Sequence, residues 1–234
     1  IVLCLVVVGC QAANVEDNVI RLAEEGKVSQ AQEEAKKSGA SGKDLVRLKG
    51  ILFHAIGMSD SALVYLKEAQ KDKPSDPKIS LRLAEVLFWK KDYKTVKLLV
   101  DQVSDKTAAD GARKWESMMR KARLEAWLQD LDGAKGLYEK VLSTLETPDA
   151  VRQQCKIRLA EIAAWKKDFP KSIAILDSML AAMPGHVDAT LLKGQILEWK
   201  GEYPQAKSIY TAAIQVHPSD ANLRYRLEKL SWVK

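Results

Sequence analysis

The chain has 234 residues, of which 47% are hydrophobic and 29% charged, so it can form a folded body and is not an intrinsically disordered chain. Its formal net charge is +6, but it has no arginine-rich tract and no nucleic-acid-binding motif, so we expect no nucleic-acid partner. Only seven prolines and twelve glycines are present, and strand signals are absent, which favours an all-helical fold.

The first residues are apolar and read IVLCLVVVGCQAAN, with the ending Val7-Val8-Gly9-Cys10. This ending resembles the lipobox of bacterial lipoproteins, in which the signal is cut before a cysteine that then carries lipid. The resemblance implies a truncated signal region in residues 1–9, lipidation of Cys10 and attachment to a membrane through that lipid. Gln11 replaces the aspartate that would resemble an inner-membrane retention signal, so in a Gram-negative cell we expect the periplasmic face of the outer membrane. The alternative is an ordinary signal peptide or a truncated transmembrane anchor, although a spanning helix needs about 20 apolar residues.

Apolar residues at helical spacing, interrupted by turn residues, predict pairs of helices along the rest of the chain. The first pair is short and polar, as expected for a terminal pair whose outer face meets water. The last helix is expected to cover the exposed apolar face of the final pair. The predicted pairs span residues 15–38, 41–74, 75–108, 109–147, 148–184 and 185–218, and the last helix lies in 219–234.

Small residues recur at one position of each predicted first helix, where two helices would have to approach closely. In the last pair Gly194 is followed after twelve residues by Ala206 and after four more by Tyr210. The equivalent small residues of the earlier pairs are Gly50, Ala84, Ala122 and Ala160.

The 34-residue stretch Gly185–Pro218, with this spacing, resembles the tetratricopeptide repeat (TPR). The resemblance implies an all-α fold: a TPR-type right-handed α-solenoid of about six helix–turn–helix repeats plus a C-terminal capping helix. Residues 10–234 would then form a single domain. This fold is a binding scaffold that serves many unrelated partners, so it does not by itself identify a function.

The sequence contains none of the residue constellations that indicate catalysis, such as a glycine-rich phosphate loop, a nucleophile elbow or a zinc motif. His54 faces the predicted groove, but no partner lies at metal-ligand spacing from it. We therefore predict that the protein is not an enzyme and holds no metal or cofactor. Cys155 is interpreted as a small buried hydrophobe rather than a reactive thiol.

Four of the six tryptophans share one register, five residues after the small residue of their first helix. With about 100° per residue, this position lies on one helix face with those three and six residues before the small residue and one and four after it. In TPR proteins, which the chain resembles, this is the concave ligand-binding face. We call these four residues the tryptophan ladder: Trp89, Trp127, Trp165 and Trp199.

The other groove positions carry five acids (Glu85, Glu116, Glu161, Asp188, Glu198) and two bases (Lys78, Arg123), which predicts an acidic groove. Such a groove favours a basic peptide, or a neutral or amine-bearing polysaccharide, over a polyanion. Packing of the tryptophans against the next repeat is the other interpretation of their register. The candidate groove-binding residues are Trp89, Trp127, Trp165, Trp199, Phe88, Glu85, Arg123, Glu161, Gln195 and Glu198.

Lysines follow three of these tryptophans, in WKKDY (89–93), WKKDF (165–169) and WKGEY (199–203). At helix C-termini they would meet the negative end of the helix dipole. The alternative is an edge that rests on anionic lipid or lipopolysaccharide.

Two functional hypotheses remain. The leading one is a non-catalytic, lipid-anchored scaffold of the bacterial cell envelope that binds partner proteins or peptide segments in its groove. The chain resembles TPR lipoproteins of exopolysaccharide export and envelope assembly. The alternative is a glycan- or exopolysaccharide-binding module that uses the tryptophan ladder.

Overall fold

A computed structural model describes residues 15–23, 25–104 and 114–231, and all regular structure in these ranges is helical. The predicted signal region 1–9 and lipidation site Cys10 lie outside the described residues. Within the described ranges there are thirteen helices. They are α1 (15–23), α2 (Val28–Lys37), α3 (Gly42–Ala55), α4 (Ser59–Asp72), α5 (Pro77–Trp89), α6 (Tyr93–Gln102), α7 (Lys114–Trp127), α8 (Leu131–Ser143), α9 (Asp149–Trp165), α10 (Phe169–Ala182), α11 (Val187–Trp199), α12 (Tyr203–Val216) and α13 (Ala221–Ser231).

The helices group into two compact units, of which the N-terminal unit ends at Asp130 and the C-terminal unit begins at Leu131. Helices α1 to α7 belong to the N-terminal unit and α8 to α13 to the C-terminal unit. The single domain predicted for residues 10–234 stays a prediction. None of the helices in the described ranges is both long and apolar enough to cross a bilayer.

In each unit, a helix pair touches where the sequence places its small residue, which confirms the predicted close approach at Gly50 and Gly194. A Cβ added to Gly50 in α3 would lie 3.0 Å from the Leu66 side chain in α4. A Cβ on Gly194 in α11 would lie only 2.3 Å from the Tyr210 ring in α12. No side chain fits beside Tyr210 at Gly194, and at Gly50 a side chain would fit only if Leu66 moved, so glycine sets how closely these two helix pairs pack.

In the fifth repeat, formed by α9 and α10, a polar residue makes the contact between the paired helices. Ser172 occupies the second-helix position and is completely buried. Its Oγ donates a 2.7 Å hydrogen bond to the Ala160 carbonyl, the small position of the first helix. Because the buried hydroxyl has a partner, it joins the two helices without an unmet polar group.

Each turn between paired helices uses one residue with positive φ, seven residues after the small position. Glycine fills this place at Gly57 and Gly201, and Gly26 has the same conformation in the turn of the first pair. Lys91, Gln129 and Lys167 adopt the same conformation, with φ of 64°, 69° and 62°. The shared backbone geometry explains why the spacing between helices is kept even where the sequence has no glycine to mark the turn.

Helix α13 packs against the last helix pair, as predicted for a capping helix. Leu223 and Leu230 are buried in one cluster with Leu197, Ala206 and Tyr210. The apolar face that α11 and α12 would otherwise expose is therefore covered, as a terminal repeat requires.

Cys155 in α9 is fully buried. Burial raises the pKa of its thiol to about 12. The thiolate, which is the nucleophilic form, is therefore scarce at neutral pH, and the interpretation of Cys155 as a buried hydrophobe is favoured.

We predict that Gly194→Ala lowers the free energy of unfolding by about 1–3 kcal/mol, because the added methyl collides with the Tyr210 ring. Gly136→Ala in α8 is a matched control, since a Cβ there meets nothing within 4 Å. That change should raise stability by about 0.5–1 kcal/mol through helix propensity. Urea denaturation of both variants tests this, and equal effects would contradict the proposed close contact.

Candidate functional site

The first helices α3, α5 and α7 of the N-terminal unit lie side by side and turn their predicted groove positions to one face. We call this face the N-terminal groove. Its floor is a set of nine ionisable side chains joined by ion pairs, which we call the charged network. Its members are Glu16, Arg47, His54, Lys78, Arg82, Glu85, Glu116, Arg120 and Arg123.

Glu85 is the centre of the charged network, and its side chain is only 4% exposed. One carboxylate oxygen, Oε2, accepts from His54 Nε2 at 2.8 Å and from Arg120 Nη1 at 2.6 Å. The other oxygen, Oε1, accepts from Arg123. Three donors from two neighbouring helices therefore compensate the cost of burying this charge.

The remaining carboxylates of the charged network are held in the same way. Glu116 accepts from the buried Arg82 at 2.7 Å, and Arg82 also donates to the Lys78 carbonyl at 2.9 Å. Glu16 in α1 pairs with Arg47, and Lys78 Nζ lies 3.1 Å from its Oε1. The network thus connects α1, α3, α5 and α7, the four first helices of the N-terminal unit.

Three arginines of this network, Arg47, Arg82 and Arg120, were missed by the sequence analysis. The predicted groove positions of the N-terminal unit carried two acids and two bases, and these arginines make this part of the groove net positive rather than acidic. Arg82 and Arg120 stand two residues before the small residues Ala84 and Ala122. On the helical wheel this position is at about 160°, only about 20° beyond the tryptophan position. Widening the predicted face by one position would have found them, because a long arginine side chain reaches across that angle.

An aromatic cluster lies beside the charged network at the C-terminal ends of α5 and α7. Phe88 stacks on Trp127 with 4.8 Å between ring centroids, and Trp89 meets Trp127 edge to face at 5.4 Å. Tyr93 contacts Phe88 at 5.3 Å. The Arg123 guanidinium lies over the Trp127 ring, 5.3 Å from its centroid. The cluster therefore joins the charged network through a cation–π contact.

The tryptophan ladder combines packing with exposure. Trp89 remains 68% exposed although it contacts Trp127, which is half-buried. In the C-terminal unit Trp165 and Trp199 are 49% and 48% exposed. The register thus leaves three large apolar side chains accessible, and their role as binding residues stays a prediction.

Two of the predicted groove residues of the C-terminal unit, Glu161 and Glu198, have partners within that unit. Glu161 pairs with Arg158 at 2.6 Å on the same helix. Glu198 accepts from the buried Tyr210 hydroxyl at 2.7 Å. Gln195 is half-buried on the same helix as Glu198.

Two of the lysines that follow the tryptophans form ion pairs with the neighbouring repeat, and a third pairs within its own repeat. Lys90 Nζ lies 2.6 Å from Asp60 Oδ1, and Lys166 Nζ lies 2.6 Å from Asp132 Oδ1. In the last repeat Lys200 pairs with Glu202 at 2.5 Å. Because these pairs are exposed to water, each contributes little to stability. The alternative of a lipid-facing edge stays a prediction.

In the described ranges, no three His, Cys, Asp or Glu side chains are placed together as metal ligands. His54, the histidine of the charged network, is paired with Glu85. The geometry of the N-terminal groove therefore supports recognition by charge and aromatic contact.

The model of the tetratricopeptide repeat-like domain matches residues 88–231 of the chain. No curated protein matches the chain. Among solved structures, a tetratricopeptide repeat protein from Parabacteroides merdae is similar, with a TM-score of 0.60, 12% identity, and 94% of this chain and 84% of that chain covered.

Two further solved structures are similar to the chain. PilW, described as a widely conserved type IV pilus biogenesis factor, has a TM-score of 0.68 and 13% identity, with 92% of this chain and 98% of PilW covered. YrrB, described as a TPR protein with an unusual peptide-binding site, has a TM-score of 0.54 and 15% identity, with 85% of this chain and 96% of YrrB covered. At such identities the likeness shows the fold alone, and it confirms the predicted all-α, TPR-type fold.

The charged network should make the protein less stable in acid. Burial lowers the pKa of His54 below 6.5 more strongly than Glu85 raises it. Burial raises the pKa of Glu85, but Arg120, the hydrogen bond from His54 and Arg123 outweigh it and hold that pKa far below 4.5. The unfolded chain therefore binds a proton at His54 below about pH 6.5, where the folded chain does not. The same holds for Glu85 below about pH 4.5.

We predict that the free energy of unfolding falls between pH 7 and pH 4, by at most about 1.4 kcal/mol per pH unit for each group. Urea denaturation at several pH values measures this. His54→Gln should flatten the part between about pH 6.5 and 5 and leave the more acidic part, which belongs to the carboxylates. An unchanged profile in that variant would assign the upper part to another group.

Proposed function

The chain belongs to the tetratricopeptide repeat-like family, and we propose that it is a non-catalytic, lipid-anchored scaffold of the bacterial cell envelope that binds partner proteins through its groove. The observation that carries this proposal is the N-terminal groove, where exposed aromatic side chains stand on a floor of fixed ion pairs. Trp89 is 68% exposed there, beside Trp127 and Arg123. Tryptophan, tyrosine and arginine are the residue types that dominate binding energy at protein interfaces.

Preorganisation supports binding at this face. Phe88, Trp127 and Arg123 hold one another by stacking and cation–π contact, and Arg123 is also tied to Glu85. A side chain that is already fixed loses less conformational entropy when a ligand arrives. The similar protein YrrB is itself described as having a peptide-binding site, which is in keeping with this use of the fold.

The envelope location rests on the sequence Val7-Val8-Gly9-Cys10, which resembles a lipobox. The similar structure of PilW belongs to a protein described as a pilus biogenesis factor. At 13% identity that likeness supports the fold, so Cys10 is what supports an anchor in the envelope. Anchoring through lipid would leave the groove free to hold partner proteins near the membrane.

The glycan-binding alternative is less well supported, because stacking on a sugar ring needs an open indole face. Phe88 covers one face of Trp127, at 4.8 Å with an interplanar angle of 30°. Arg123 also lies over the same indole. The indole at the centre of the aromatic cluster is therefore occupied by its own neighbours.

The first test is capture of partners from the native membranes after mild crosslinking, with proteins and sugars both analysed. We expect a defined set of envelope proteins, and Trp89→Ala should reduce their recovery about tenfold, as loss of an interface hot spot does. Tyr225→Ala is the matched control, since Tyr225 is an equally exposed aromatic residue, at 63%, on the capping helix α13. Equal recovery of partner proteins with both variants would contradict binding through the groove. Recovery of glycan without protein would favour the glycan-binding module instead.

The anchor has a separate test. We predict that the chain, expressed with its complete natural N-terminus in a bacterium, incorporates radiolabelled palmitate and is released from membranes by Cys10→Ala. Label retained in the Cys10→Ala variant, or absent from the parent protein, would contradict lipidation while leaving the groove proposal intact.

A further inference from the structure

The charged network of the N-terminal groove has more positive than negative charge. Its permanent cations are Arg47, Lys78, Arg82, Arg120 and Arg123, and its carboxylates are Glu16, Glu85 and Glu116. Five cations against three carboxylates leave an excess of two positive charges, without His54. The network therefore has more cations than its own carboxylates can neutralise.

Two of the cations are much more exposed than any carboxylate of the network. The side chains of Glu16 and Glu85 are 2% and 4% exposed. Those of Arg123 and Lys78 are 41% and 30% exposed. A ligand that enters the groove therefore meets these two cations first, whereas the other three cations of the network are about as buried as its carboxylates.

Hydrogen-bond donors in the groove lack acceptors as well. Within the described part of the chain, the buried Nε atoms of Arg47 and Arg123 have no hydrogen-bond partner, and neither does the buried Oε1 of Glu16, which lies 3.1 Å from Lys78 Nζ. A ligand does not reach these buried atoms, but the exposed part of the Arg123 guanidinium offers further N–H donors, and a guanidinium bonds only to acceptors. Carboxylates fit best, because they accept two parallel bonds from a guanidinium.

An apolar surface adjoins these donors. The guanidinium of Arg123 lies over Trp127, and Trp127 touches the exposed Trp89. Tyr93, at the other end of the aromatic cluster, is 49% exposed. A fitting ligand thus carries carboxylates next to apolar or aromatic side chains.

We infer that the N-terminal groove binds an acidic segment of a partner protein, whose carboxylates contact Arg123 and Lys78 while an apolar side chain packs on Trp89. This inference rests on the proposed function and specifies the chemistry of the partner. It replaces the basic peptide expected from the sequence. An acidic peptide is favoured over an anionic polysaccharide, because Phe88 and Arg123 already lie over the Trp127 indole, on which a sugar ring next to the cations would have to stack.

Three fluorescein-labelled peptides of equal length test the inference by fluorescence anisotropy with the full chain. They share the same phenylalanine and leucine positions and carry glutamate, glutamine or lysine at all others. We expect the glutamate peptide to bind at least tenfold more tightly than the glutamine peptide and to weaken as salt rises. The lysine peptide should bind most weakly.

Variants locate the binding. Arg123→Gln and Lys78→Gln should each weaken the glutamate peptide about tenfold, as expected for loss of a charge-assisted contact. Arg123→Lys keeps the charge and should recover part of the affinity. Arg21→Gln and Lys71→Gln are matched controls, because both side chains are exposed and outside the groove. Circular dichroism of each variant checks that the fold is kept.

Each outcome decides between defined alternatives. Equal binding of the glutamate and glutamine peptides, lost on Trp89→Ala, would overturn the acidic chemistry and leave the groove as a protein-binding site. Equal loss in the control variants would assign the effect to net charge and overturn the inference. Binding of an anionic polysaccharide such as alginate, in place of any peptide, would overturn both the inference and the proposed function.

Discussion

The close approach of paired helices at one small residue is the constraint on which the groove depends. At Gly194 the neighbouring ring would lie 2.3 Å from an added Cβ, and at Gly50 the Leu66 side chain would lie at 3.0 Å. So tight a contact fixes the rotation of each first helix about its axis. Once that rotation is fixed, the positions one, four and five residues later face the groove. The repeated small residue therefore aligns the functional side chains of successive repeats.

In the groove floor of the N-terminal unit, ion pairs offset the cost of removing charged groups from water. Glu85 loses its hydration on burial and regains the energy through His54, Arg120 and Arg123. Removing one member of such a network leaves a buried charge unpaired. The stability lost is then larger than the stability that the intact pair contributes. The same ion pairs hold Arg123 in place over Trp127. Structural burial and the presentation of a binding surface are thus parts of one arrangement.

The tryptophan ladder shows that repeat packing and exposure are not exclusive. Trp89 touches a neighbouring indole through its edge and still exposes most of its surface. A contact through the ring edge fixes the orientation of the side chain but covers little area. The result is an apolar surface of defined shape beside accessible cations, which is how the proposed recognition of an acidic segment combines charge with apolar contact.

Several features of this protein were determined by the sequence alone. The spacing of small and apolar residues gave the helix pairs, the contacts at Gly50 and Gly194 and the capping role of the last helix, because each depends on local periodicity and on the absence of a side chain. The turn conformation of Lys91 and Lys167 was not readable in the same way, since only the packed helices force a lysine into positive φ.

The sign of the groove was decided by the tertiary structure. Sequence positions put Glu85 and Glu116 on the groove face, but Arg82 and Arg120 reach the same face from a neighbouring position. A helical wheel gives the direction of each Cα–Cβ bond, whereas the charge of a long side chain lies several ångströms away. Which charges are buried and which are presented therefore depends on the neighbouring helices, and only their packing settles it.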